Sequence, residues 1–188
     1  AAQGFDGVSV GQIAAQAGVN RQRLYAYFGS KRELYRQVLI AVYAQVANHQ
    51  GLLSLSVDDL PAMTGRIVDR FFEIHERNPR FWRLLCWENL NGGQSLRPED
   101  WARLRGAYIA HLGQLYAEGQ RRGQFRADVD FTTYLLVLFS TTYFYFSNQM
   151  TISRLLGVAL DSLAVRRQIE EQFVAVMDRG LADRSGAG

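Results

Sequence analysis

An all-α protein is the fold the sequence predicts, and three observations predict it. Apolar residues recur at three- and four-residue intervals, no window alternates with the period of a strand, and helix-ending signals punctuate the whole chain. No repeat or low-complexity segment interrupts the pattern. Of the 188 residues, 48% are hydrophobic, enough to bury a real core in one larger domain with a small one attached. The expected boundary divides an N-terminal segment, 1–48, from a body, 49–188.

Each helix carries its own signals. Ser9-x-x-Gln12 is a capping box that opens the first, and Gly18 can take the left-handed conformation that ends it. Asn20 caps the second, which stops at Gly29. Ser30-x-x-Glu33 is another capping box and starts a long helix toward about Gln50. A helix is expected from about Asp59 to Arg77, and Asn78-Pro79 ends it and begins the next. That one stops at Asn91-Gly92-Gly93. A single helix is expected from about Pro98 to Arg122, closed by Gly123. Asp130 caps an uncharged helix, and the last covers about Ser162 to Leu181.

Two short helices around Gly18 give the layout of a helix-turn-helix DNA reader. Ile13, Ala14, Ala17, Val19, Leu24 and Phe28 fall where two such helices must touch, and the alanines permit a close crossing. Asn20, Arg21, Gln22 and Arg23 then project from the N-terminal turn of the second helix, the part that enters the major groove. Arginine suits guanine O6 and N7, and glutamine suits adenine N6 and N7. Tyr25, Tyr27 and Lys31 follow where a docked helix passes the sugar-phosphate backbone. Charge agrees with this placement. The formal net charge of +3 sits entirely in residues 1–48, where Arg21, Arg23, Lys31, Arg32 and Arg36 outnumber Asp6 and Glu33.

The segment resembles the signature of the TetR family of transcriptional regulators. The resemblance rests on Gly4-Phe5, Ser9, Ile13-Ala14, Ala17-Gly18-Val19, Leu24-Tyr25, Tyr27-Phe28, Ser30-Lys31 and Leu34, with a weaker echo in Gly123-x-Phe125-Arg126-x-Asp128-x-Asp130. It implies a homodimer in which each subunit has a three-helix reader and a C-terminal ligand-binding and dimerisation domain. It further implies that Ser9, Tyr25, Tyr27 and Lys31 grip phosphates while Arg21, Gln22 and Arg23 face bases. Gln22 and Arg23 are bulkier than the residues common there in the family. The family's first helix precedes Gly4, so the natural chain is expected to extend upstream of Ala1.

In the body, Ile67, Phe71, Ile74 and His75 share a face, and Trp101, Leu104, Tyr108, His111, Leu112 and Leu115 share another. These stripes serve either as plain core or as an apolar pocket with a few polar handles. On the second reading the lining is Phe71, His75, Trp87, Asn89, Tyr108, His111, Phe139 and Tyr143, suited to a flat, hydrophobic or aromatic inducer. The resemblance favours a four-helix interface with the partner's equivalent pair, and the residues expected there are Phe146, Ile169, Phe173, Val176 and Met177.

Other classes find little support. His49, His75 and His111 are scattered, and neither a metal-ligand spacing, a phosphate loop nor a nucleophile elbow is present, so no catalytic or metal-binding residues and no cofactor are expected. Cys86 is the one cysteine, which rules out an internal disulfide and fits a reducing cytoplasm. Residues 131–153 lack charge, but their many Ser, Thr, Asn and Gln residues favour a buried helix over a membrane span. The expectation is a ligand-responsive repressor released from a palindromic operator on double-stranded DNA. The alternative is a helical small-molecule-binding or sequestering protein with a vestigial reader.

Overall fold

The computed structural model describes residues 3–47, 50–104 and 107–181, and among them every regular element is helical. The chain divides into two compact units: Ala1–Asn48 with Pro79–Arg105, and His49–Asn78 with Gly106–Gly188. The expected boundary at 48/49 falls outside the described residues, as do the first two residues. The unforeseen part is the excursion 79–105, which belongs to the same compact unit as the N-terminal segment.

The first unit holds α1 (Val10–Ala17), α2 (Arg21–Phe28) and α3 (Lys31–Ala47). A short α4 (Gln50–Leu53) and a 3₁₀ turn (Val57–Ala62) lead in the second unit to α5 (Met63–Arg77). The chain then returns to the first unit for α6 (Pro79–Leu90) and α7 (Pro98–Leu104). Here α3 packs on both α6 and α7, burying Leu39, Leu84 and Leu96. Tyr43 meets Phe81 and Trp101 edge-on, each at 5.3 Å between ring centres. The loop after α6 is tied down by Glu88, which is 2% exposed and accepts the Ser95 backbone N–H at 2.7 Å.

The second unit continues with α8 (Ala107–Arg121), α9 (Phe131–Leu156) and α10 (Leu163–Leu181). α5 is its central helix, packed on α9 and α10, and it buries Met63, Ile67, Phe71, Ile74 and His75 at the expected spacing. An aromatic cluster joins α8 to α9: Tyr116 stacks on Phe125 at 4.8 Å and lies 4.5 Å from Tyr134. Their hydroxyls are satisfied, Tyr116 donating to the Val129 carbonyl at 3.0 Å and Tyr134 sharing a 3.3 Å bond with Thr64. Arg126 forks onto Asp128 at 2.9 and 2.6 Å, and Asp130 caps α9 by accepting the Thr133 N–H at 2.8 Å. These contacts account for the Gly123–Asp130 pattern.

The expectation of one helix over 98–122 falls partly outside the described residues, since 105–106 are not among them; its two parts, α7 and α8, belong to different units. Trp101 and Leu104 therefore face α3, while Tyr108, Leu112 and Leu115 are buried in the second unit. Helical periodicity shows which residues want burial but not against which partner. Among the described residues no helix is long and apolar enough to cross a membrane.

Candidate nucleic-acid interface

The two-helix reader is built by local hydrogen bonds. Ser9 Oγ accepts the Gln12 N–H at 3.2 Å and Gln12 Oε1 accepts the Ser9 N–H at 2.7 Å, closing both halves of the capping box. The Ser9 hydroxyl proton stays available to donate outward. Gly18 ends α1 at φ 66°, in the left-handed region, and the Val19 N–H reaches back to the Ala14 carbonyl at 3.1 Å. Asn20 Oδ1 then accepts the Arg23 N–H at 2.7 Å and starts α2. Asn20 thus spends its carbonyl on the cap, leaving its amide to face solvent.

This geometry leaves α2 with no buried residue, only Leu24 and Phe28 being half-buried. Arg21, Gln22 and Arg23 are exposed on its first turn, and no acidic partner is recorded for either arginine among the described residues. Arg21 lies 5.7 Å from the centre of the Tyr25 ring, one turn on, so the phenol supports the guanidinium by a cation–π contact. Tyr27 is 72% exposed. Free cations, amide groups and phenols on one exposed helix are the groups that bind phosphates and base edges.

Lys31 is placed differently from the others. Its ammonium sits 4.4 Å above the Phe5 ring, which in turn packs on Tyr35 at 5.3 Å. Phe5 therefore aims Lys31, a role that sequence reasoning missed because the residues are 26 positions apart. Burial, aided by the Glu88 charge, pushes the Tyr35 phenol up to about 12. An open groove of about 490 Å³ runs beside this cluster, floored by Val8, Ile13, Leu34, Val38 and Leu84.

The expected pocket residues are split between the units. Phe71 and Phe139 stack at 4.6 Å, and His75 lies 6.1 Å from Tyr143, so α5 and α9 bring these four together. His75 is 6% exposed, and burial pushes its imidazole down to about 4, so it is neutral at pH 7. On α8, Tyr108 is buried and His111 Nε2 is hydrogen-bonded to the Leu55 carbonyl at 2.8 Å. Trp87 and Asn89 lie on α6 in the first unit, where the Trp87 ring covers Gly4 and Asn89 is exposed.

The residues expected at the interface differ in their exposure within one subunit. Phe146 is 5% exposed, wedged against Phe72 and His75 with the Arg166 guanidinium over it. Met177 is buried too, and Phe173 and Ile169 are half-buried, Phe173 lying 6.3 Å from Phe72. Of the five, Val176 alone is exposed. On α9 the large apolar groups that reach solvent are Leu136, Val137 and Phe144, and further along it Met150, Leu155 and Leu156. Spacing alone could not separate the two faces of α9, because both are apolar.

A capped pair of short helices bearing free arginines, joined to an all-helical body, defines a class: helix-turn-helix transcriptional regulators. Residues 1–38 match the family model for bacterial regulatory proteins of the tetR family, and residues 62–177 match the model for the tetracyclin repressor-like C-terminal domain. The chain belongs to the TetR family. It is 34% identical over 159 residues to the HTH-type transcriptional repressor NicS of Pseudomonas putida, covering 84% of this chain and 75% of that protein. It is 27% identical to the HTH-type transcriptional regulator RutR of Escherichia coli K12 over 184 residues, 96% of this chain and 84% of that one. In fold it matches a crystal structure of transcriptional regulator SCO4942 from Streptomyces coelicolor, with a TM-score of 0.68, 22% identity, and coverage of 96% and 90%. A TetR family regulator from Marinobacter aquaeolei aligns with a TM-score of 0.69 at 21% identity, covering 96% of this chain and 87% of that one. The protein is accordingly a DNA-binding transcriptional regulator of a ligand-responsive family, and the relatives carry regulators' names, not enzymes'. Among the described residues no group of three or more His, Cys, Asp or Glu side chains could hold a metal ion.

Proposed function

We propose that this regulator is a cytoplasmic repressor that binds a palindromic operator as a homodimer and leaves it when a small apolar or aromatic inducer enters the second unit. Arg21, Gln22 and Arg23 read base edges in the major groove, while Ser9, Tyr25, Tyr27 and Lys31 hold phosphates. Asn20 sets the angle of α2 through its cap. The apolar stripe of Leu136, Val137 and Phe144, with Val176 of α10, meets its copy in the partner. Phe71, His75, Phe139 and Tyr143 line the inducer site, with the neutral imidazole and the phenol as polar handles. The inducer acts by preferring a dimer shape in which the two readers no longer match the operator spacing.

The observation that carries this reading is the exposure of unpaired Arg21 and Arg23 at the start of a helix whose angle is set by Gly18 and Asn20. Selection of binding sites from a random DNA pool by the full natural chain tests it. Recovery of an inverted repeat, bound at a stoichiometry of two chains per duplex, is the expected result. Enrichment of no sequence, or binding governed by salt alone, refutes it.

A further inference from the structure

We infer that Arg36 and Asp100 position the reader, setting which spacing between operator half-sites the dimer accepts; this rests on the DNA-reading proposal above. Arg36 lies on α3 and Asp100 on α7, 64 residues apart in the chain. Arg36 Nε donates to Asp100 Oδ2 at 2.7 Å and Nη2 donates to Oδ1 at 2.8 Å, a two-pronged contact. The Asp100 side chain is fully buried and that of Arg36 is 12% exposed. The carboxylate also accepts the Arg97 backbone N–H at 2.9 Å and Arg103 Nη2 at 3.1 Å. On the other side Glu33 accepts from Arg36 and faces Arg97 at 3.6 Å. The Arg36 hydrogen bonds hold the Asp100 carboxyl below the usual carboxylate range, so it is ionised at neutral pH.

A covered ion pair of this kind adds little stability over apolar side chains of the same volume. The neighbouring cluster of Leu39, Leu84 and Leu96 already holds α3 to α6 and α7. What the pair adds is direction. An apolar contact tolerates sliding and rotation, whereas a guanidinium fork meets both carboxylate oxygens in one register and one plane. Arg36 and Asp100 therefore index α3, and with it α1 and α2, onto α7.

Chain connectivity gives this indexing a consequence. The chain passes between the two units at 48/49, 78/79 and 105/106. α1–α3 own only the first of these links, and the excursion carrying α6 and α7 owns the other two. With the fork closed, α1 and α2 are held in one register on α7. With it open, α3 is free to slide and turn on the leucine cluster, and the two DNA-contacting helices shift with it. A single half-site does not sense that freedom, but a dimer spanning two half-sites does.

The experiment uses Arg36→Lys, which keeps the charge but not the fork, and Asp100→Asn, which keeps an acceptor for the Arg97 N–H but not the charge. Fluorescence anisotropy compares duplexes bearing the selected half-site once with inverted repeats whose spacer is native or lengthened by one or two base pairs. The expected result is half-site affinity like the parent's, with the preference for the native spacer reduced by roughly 2- to 30-fold. Should Asp100→Asn fail to fold, Arg36→Lys alone decides, since the lysine still neutralises the buried carboxylate. An undiminished spacer preference in folded variants overturns the inference. So does an equal loss on half-site and repeat, which would make the pair purely structural. A parent that binds neither duplex sinks the DNA-reading proposal, and the positioning role with it.

Discussion

Replacing Gly4 with alanine perturbs the reader unit without touching a DNA-facing group. Gly4 has a φ of +66°, where an L-residue costs about 1–2 kcal/mol. A Cβ there would lie 2.6 Å from Trp87 Cδ2, 2.7 Å from Cε3 and 3.0 Å from Cε2. Those distances are well inside the ~3.5–4.0 Å of ordinary carbon contacts, so the indole must move. Overpacking of this kind costs about 1–3 kcal/mol. The two effects together predict a loss of about 2–5 kcal/mol, a large share of the ~5–15 kcal/mol of a typical domain. Urea unfolding followed by tryptophan fluorescence measures it, because all three tryptophans, Trp82, Trp87 and Trp101, lie on α6 and α7 in the same unit as Gly4. Gly11→Ala is the control. Its Cβ would come no closer than 3.8 Å to Ser9 Oγ, and removing a helix glycine should stabilise α1 by up to about 1 kcal/mol. A Gly4→Ala loss below about 0.5 kcal/mol, or a Gly11→Ala loss of the same size as Gly4→Ala, refutes the reasoning.

Four further outcomes are expected. Arg21→Ala or Arg23→Ala costs about 1–3 kcal/mol in operator binding and relaxes preference at particular base pairs; equal weakening on every sequence in a competition assay would assign them to phosphates instead. Lys31→Ala weakens all sites alike and lowers the slope of log affinity against log salt by about one. His75 has its folded value depressed to about 4 against an unfolded value near 6.5, so its contribution is complete above pH 6.5 and lost as pH falls toward 4. The full effect is about 3 kcal/mol, so between pH 7 and pH 4 the parent should lose stability relative to His75→Leu by that amount in urea unfolding, while Glu170, raised to about 7, titrates in both proteins alike. Phe144→Glu puts a charge on the exposed stripe of α9 and should yield monomers in light scattering with unchanged helicity; a dimer that survives places the interface elsewhere.

Much of the reader was legible in the chain. The Ser9 capping box, the left-handed Gly18, the Asn20 cap and the stop at Gly29 all stand where expected. Ser30 shows the limit of such signals. Its Oγ accepts the Glu33 N–H at 3.1 Å, but the Glu33 carboxylate turns to Arg36, Gln37 and Arg97 instead of closing the box. The body was less legible. α9 is apolar on both faces, so nothing in its own residues showed that Phe146 lies against Phe72 while Phe144 is left in solvent.

The caps and ends of α1 and α2 and the exposed arginines of α2 follow from the chain alone, because a cap or a left-handed glycine acts over three or four residues and needs no distant partner. The three-dimensional packing settled the rest: that α6 and α7 join α3, that Trp87 lies on Gly4, and that Phe5 carries Lys31. Those contacts join residues 26 to 83 positions apart. The hydrophobic effect that drives them is non-directional, so an apolar side chain specifies burial without naming its neighbour.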